Sequence, residues 1–211
     1  MNILALGAHH DDIELGCGGT LAKYSSEGHK VFGVVLTNSL TEYDLRSIVR
    51  NKSSIEAESK RAAQLIGMEL IDLEYPQADN GKLVYSADLM RKIEDIIDRL
   101  DIDTIFTHWI HDMNTDHRAT ADLTIVAARH SKTILMYRSN WYQPGPPFNG
   151  IVYSDISDHI KAKIDSLYAY EEEIRNRGSE WIDTFIQREK TNGFKLDIGY
   201  AEAFEPVQLL L

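Results

Sequence analysis

Two short stretches hold most of the side chains able to do chemistry. AHHDDIELGCGG, residues 8–19, sets His9, His10, Asp11 and Asp12 on four consecutive positions, just ahead of a glycine cluster. HWIHDMNTDHR, residues 108–118, holds three of the eight histidines together with Asp112 and Asp116. Imidazole nitrogen and carboxylate oxygen bind Zn²⁺ at ~2.0–2.2 Å, and a catalytic zinc takes three protein ligands and leaves one position for water. His9 and Asp12 are three residues apart, which puts both side chains on one side of a tight turn or a first helical turn. The third ligand must come from afar, and His117, opening a helix beside Asp116, is the candidate. Such a set leaves room for a water whose pKa can fall to about 7. Asp11 then stands beside the metal without being a ligand, which is the place of a general base.

Each of these residues also has a plainer reading. Asp and Asn at strand-to-helix junctions are commonly caps, and His29, His130 and His159, away from the clusters, read as ordinary surface or core residues. A helix start needs one cap, however, and packed carboxylates repel unless a cation or proton compensates them. Capping alone leaves HHDD unexplained. Gly16, Gly18 and Gly19 lack the spacing of a dinucleotide-binding loop, and Asp11, Asp12 and Glu14 would oppose a pyrophosphate. The glycines read instead as a close helix–strand approach. Cys17 lies between glycines with no cation nearby in sequence to activate it, so it reads as buried filler. No G-x-S-x-G elbow is present.

The elements that must position these clusters alternate between strand and helix. Apolar runs at 3–8, 30–38, 70–73, 103–108 and 133–137 have buried-strand length. Between them, 20–28, 53–66, 86–100 and 116–130 carry helical spacing, the first closed by Gly28 and the second by Gly67. This order predicts a mostly parallel sheet with helices on both faces, in which ligands bind outside the carboxyl ends of the strands. Both polar clusters fall there. Residues 38–51 form a long polar loop, and 143–150, with three of the five prolines, mark the boundary of a sheet core at 1–142. Residues 143–211 read as an extension of the same domain, with an apolar stretch at 151–156 and a charged helix around 158–177.

A chain of 211 residues with 43% hydrophobic residues can build one sizeable core. Its net charge of −11 argues against nucleic acid and anionic membrane surfaces, which call for clustered Lys and Arg. One cysteine excludes an internal disulfide, and no apolar run approaches the ~20 residues of a membrane span. A cytoplasmic protein acting on a small molecule is the expectation. Self-association is expected, if at all, through the C-terminal region.

AHHDDIELGCGGTL is similar to the AHPDD-E-x-x-G-x-G-G-T-L opening of the PIG-L/LmbE-like de-N-acetylases. D-x-N-x-DHRAT, residues 112–120, resembles their HPDHRA-type motif. LTNS at 36–39, Glu58 with AAQLIG, and YAEAF at 200–204 carry the resemblance along nearly the whole chain. It implies a Rossmann-like α/β fold, one catalytic Zn²⁺ with Fe²⁺ or Co²⁺ as alternatives, and removal of an N-acetyl group from an amino sugar or its conjugate. By position His9, Asp12 and His117 match the metal ligands, and Asp11 the general base. Three departures stand out. His10 replaces the usual proline, either shaping the turn or supporting a ligand. Asn114 replaces the first histidine of the second motif, so it can donate a hydrogen bond to an oxyanion but supplies no proton. That leaves His111 or protonated Asp11 to protonate the leaving amine, with Tyr142 as a further oxyanion donor. Ile55 replaces a substrate-facing arginine, which Arg46 or Arg50 can substitute. The alternatives are a non-catalytic sugar- or nucleotide-binding module and a metal hydrolase acting on another amide or ester.

Overall fold

The computed structural model describes residues 1–40, 42–43, 48–49, 51–142 and 145–210, with the backbone alone at 42–43 and 48–49. Along the chain run β1 (Asn2–Gly7), α1 (Asp12–Ser26), β2 (Lys30–Val35), the short pair β3 (Glu42–Tyr43) and β4 (Ile48–Val49), α2 (Lys52–Leu65) and β5 (Glu69–Leu70). They are followed by α3 (Ala87–Arg99), β6 (Thr104–His108), α4 (Thr115–Ala127) and β7 (Thr133–Tyr137). The chain then forms β8 (Val152–Asp155), α5 (Ile160–Tyr168), α6 (Glu171–Arg177), α7 (Glu180–Lys195) and β9 (Ala201–Gln208).

Seven strands form one sheet in the order β5-β2-β1-β6-β7-β9-β8. The first five are parallel, and β9 runs antiparallel to both β7 and β8. From β1 the chain winds outward to β2 and β5, then returns to β6 on the other side of β1. The reversal opens a crevice between the carboxyl ends of β1 and β6, the usual ligand position in such sheets. His9 follows β1 and His108 ends β6, so the topology alone brings the two polar clusters together.

Strand side chains alternate between faces. Leu4 and Leu6 pack with Leu89, Ile93, Ile96 and Ile97 of α3 and Leu123 of α4. Ile3 and Ala5 pack on the other face with Ile13, Cys17 and Leu21 of α1 and Ala63 near the end of α2. Each fully buried Ile or Leu contributes roughly 1.5–3 kcal/mol, so both helical layers are held by the hydrophobic effect. No helix among the described residues is long and apolar enough to cross a membrane.

Three expectations are corrected. The first helix begins at Asp12, eight residues before the expected start at Thr20. Helix propensity disfavours its three glycines, but tertiary packing requires two of them. A methyl at Gly16 would fall inside the Tyr137 ring, and one at Gly19 would lie 2.7 Å from Ile156 Cδ1. The charged C-terminal helix is two helices, α5 and α6, broken at 169–170. The sheet also does not end at residue 142, because β8 and β9 pair with it and extend it by two strands.

The last strand is fastened to the first helix by buried charge. Glu202 accepts from the backbone N–H of Gly19 at 3.0 Å and of Thr20 at 2.7 Å. Lys163 of α5, fully buried, donates to Glu202 at 2.5 Å, to Glu189 at 3.1 Å and to the Leu15 carbonyl at 2.9 Å. The carboxylates hold the lysine charged against the burial that opposes it.

Candidate active site

The turn after β1 is strained where the chemistry is expected. Asp11 precedes α1 with φ of +108°, a left-handed conformation that non-glycine residues rarely adopt. In this conformation the turn presents His9, Asp11 and Asp12 to one cavity. Asp12 is fixed by the His9 backbone N–H, which donates to its Oδ2 at 2.7 Å. Across the crevice, Asn114 caps α4, its Oδ1 accepting from the N–H of Asp116 at 2.8 Å. The cap sets the first turn of α4 and aims His117 at Asp12.

His9 Nδ1 stands 3.2 Å from Asp12 Oδ2, while His117 Nε2 stands 3.3 Å from both His9 Nδ1 and Asp12 Oδ1. Ligand atoms around a tetrahedral ion with bonds of ~2.0–2.1 Å lie about 3.3–3.4 Å apart. One ligand atom from each of the three side chains lies within 4.8 Å of the others, a grouping that could hold a common cation. Each histidine has a carboxylate behind it. His9 Nε2 lies 2.9 Å from Asp116 Oδ2, and His117 Nδ1 lies 3.2 Å from Asp112 Oδ2. Carboxylates so placed fix the imidazole tautomer and turn the other nitrogen toward a metal. Burial opposes charge on His9, but Asp116 and Asp12 lift its pKa to about 10. Burial likewise opposes charge on His117, and Asp12 and Asp112 raise it to about 9. Burial favours the neutral acid at Asp12, yet His117 and His108 hold it well below the usual carboxylate range. A site this rich in ionisable groups balances its charge with protons when no cation is bound.

His108, Asp112 and His117 form a second group with ligand spacing. His108 is fully buried, accepts from the Ala8 backbone N–H at 3.0 Å, and stacks on His117 with ring centroids 4.0 Å apart. Burial first, and then the neighbouring His117, push its pKa down to about 4, so it stays neutral. Neither His108 nor Asp112 lines the cavity, whereas His9, Asp12 and His117 all do. Only the latter three can hold a metal that keeps a position open to substrate.

The cavity measures about 530 Å³ and is walled by Trp141, Tyr142, Trp181 and Phe185, within the ~300–1,000 Å³ of small-molecule sites. Asp11, Asn114 and Tyr142 line it as expected. His10 also lines it, its ring Nδ1 2.7 Å from Ser39 Oγ. His111 is not brought there. It is exposed, its ring against Trp109, because the turn after β6 directs it outward. Ile55 is fully buried in α2, and Arg46 and Arg50 lie outside the described residues. Sequence reasoning missed Arg177, whose Nη2 stands 3.3 Å from Asp11 Oδ2 while its guanidinium covers the Trp181 ring at 4.2 Å.

Residues 4–128 match the profile of the GlcNAc-PI de-N-acetylases, PIG-L, which is more than half of the chain. The chain belongs to the PIG-L family. YaiS of Escherichia coli strain K12, an uncharacterized deacetylase, is 33% identical over 147 residues, covering 66% of this chain and 75% of its own. The conserved protein TT1542 from Thermus thermophilus superimposes with a TM-score of 0.80 at 23% identity, over 99% of this chain and 96% of that one. The N,N'-diacetylchitobiose deacetylase from Pyrococcus horikoshii superimposes with a TM-score of 0.79 at 19% identity, over 98% and 83%. The PIG-L profile ends just after α4, so the aromatic wall from Trp141 onward belongs to the part of the chain beyond it.

Proposed function

We propose that this PIG-L family member is a zinc hydrolase that removes the acetyl group from an N-acetylated amino sugar or its conjugate. The observation that carries the reading is the set of 3.2–3.3 Å contacts among His9 Nδ1, His117 Nε2 and the two carboxylate oxygens of Asp12, facing a cavity that Asp11 also lines. Two imidazoles and one carboxylate suit Zn²⁺, with Fe²⁺ or Co²⁺ able to take the same ligands. When bound, the ion polarises an amide carbonyl and lowers the pKa of water. Asp11 accepts the proton of the attacking water. Asn114 spends its Oδ1 on the helix cap and keeps its Nδ2 for the oxyanion, a role that Tyr142 can share. With His111 turned away, protonated Asp11 returns its proton to the departing nitrogen. The C–N bond breaks, releasing acetate and a free amine. Trp141, Tyr142 and Trp181 offer flat apolar surfaces to a sugar ring.

The test combines metal analysis with acetate release from N-acetylglucosamine and N,N'-diacetylchitobiose. One equivalent of metal and stoichiometric acetate and amine support the reading. Intact substrate after long incubation with metal-replete protein would overturn it in favour of a binding module.

A further inference from the structure

Behind the wall that Phe185 gives to the main cavity lies a second cavity of about 190 Å³. Arg138, at the exit of β7, and Arg188 and Lys195, from α7, line it together with Asn192, Tyr153 and Phe148. Three cations thus converge in a chain of net charge −11, and no carboxylate is among the described residues lining the space. One nearby buried acid, Glu189, pairs with Arg188 itself, and the other, Glu202, is held by groups outside the cavity. Glu189 accepts from Arg188 at 2.7 Å and from Lys163 at 3.1 Å, and Glu202 serves Lys163 and α1. Arg188 is pinned in place, donating to the Arg138 carbonyl at 3.0 Å and lying 4.7 Å over the Phe185 ring. Arg138 donates to the Asn140 carbonyl at 3.4 Å and lies 5.8 Å from the Phe148 ring centroid. Burial, and then the like charge of Arg188, hold Arg138 below its ordinary pKa, while Asp112 opposes them more weakly. An oxyanion entering a partly desolvated space lined by guanidinium and ammonium groups is stabilised by them more strongly than it would be in water.

We propose that this cavity is a binding site for a small oxyanion, a phosphate or compact carboxylate group, held by Arg138, Arg188 and Lys195. Guanidinium groups present paired N–H donors that match the oxygens of such groups. Asn192 and Tyr153 add neutral donors. The volume is about six times a water's ~30 Å³ share and below the ~300 Å³ of drug-sized sites. It has room for such an anionic group.

The test titrates inorganic phosphate, and separately acetate, into the metal-loaded protein by calorimetry. Saturable binding of either is expected, the stronger of the two identifying the oxyanion preferred. Lys195 is exposed, so Lys195→Gln should leave folding intact and weaken binding about tenfold, with Arg138→Gln weakening it further. His117→Ala, which removes one of the proposed metal ligands, should leave it unchanged. Absence of binding, equal affinity in Lys195→Gln, or loss of binding in His117→Ala would each overturn the proposal, the last by placing the anion at the metal centre.

Discussion

His9 Nε2 lies 2.9 Å from Asp116 Oδ2, a contact spanning 107 residues of sequence and both sides of the crevice. Asp116 is itself clamped by the backbone N–H groups of Gly81 at 2.6 Å and Leu83 at 3.0 Å. The pairing favours a proton on Nε2 and leaves Nδ1 available to the proposed metal. Asp116→Asn should therefore lower metal affinity about 10–100-fold, measured by competition with a chromogenic chelator. An unchanged affinity would show that the carboxylate does not orient His9.

Asp11→Asn separates the proposed base from the proposed ligands. Asparagine tolerates left-handed backbone, so the turn at φ +108° should survive the change. Turnover is expected to fall about 10²–10⁴-fold with metal content retained. Comparable turnover in the variant would place the base elsewhere.

Metal binding should expel protons. Without metal, His9 at about 10 and His117 at about 9 are both cationic at pH 7, while His108 at about 4 is already neutral. Coordination requires neutral imidazoles, so loading at pH 7 should release about two protons, and affinity should climb as pH rises toward 9. Calorimetry in buffers of different ionisation enthalpy counts them. A release below one proton contradicts this charge balance.

Glu14 gives the fold a pH dependence of its own. Burial lifts its carboxyl from an ordinary 4.5 to about 8, against the opposing hydrogen bond that Tyr170 Oη donates to Oε1 at 3.0 Å. The folded chain thus holds a proton that the unfolded chain loses above 4.5. The stability this proton confers is complete below pH 4.5 and gone above pH 8. Glu14→Gln should consequently outstabilise the parent by roughly 5 kcal/mol more at pH 9 than at pH 4. An equal stability difference at the two pH values would show that the carboxyl titrates alike in the folded and unfolded chain.

Gly16→Ala should destabilise the fold by roughly 3 kcal/mol, because the added methyl occupies the Tyr137 ring position. Tyr137 cannot retreat, being fully buried with its hydroxyl donating to the Leu6 carbonyl at 2.8 Å. A denaturation midpoint equal to that of the parent would mean the helix can shift.

The grouping of His9, Asp12 and His117 was legible because its reasons are local. His9 and Asp12 share one turn, and His117 follows a recognisable cap, so spacing alone announces them. His108 was harder to read, since the end of a strand carries no sign that its ring will be sealed beneath another imidazole. Arg177 lies in EEEIRNR, a pattern that any solvated helix can show, and its place over the cavity is decided by tertiary packing. His111 misled through proximity, as a tight turn separates neighbours in sequence by direction. In the fold, the parallel strands announced themselves as apolar runs. The start of α1 was hidden by glycines that propensity penalises, two of which, Gly16 and Gly19, packing demands. β9 was hidden by Pro206 and its acidic residues, Glu202 and Glu205, which blur the alternation of a strand.

Because β9 hydrogen-bonds to β7 and its Glu202 reaches back to Gly19 and Thr20, the protein cannot complete its fold in the order in which it is synthesised. While the ribosome is still adding residues 138–200, the β7 edge stands open and Lys163 waits for one of its counter-charges. Through that interval the nascent chain exposes a strand edge able to pair with a neighbour, a hazard that ends only when residues 201–208 arrive.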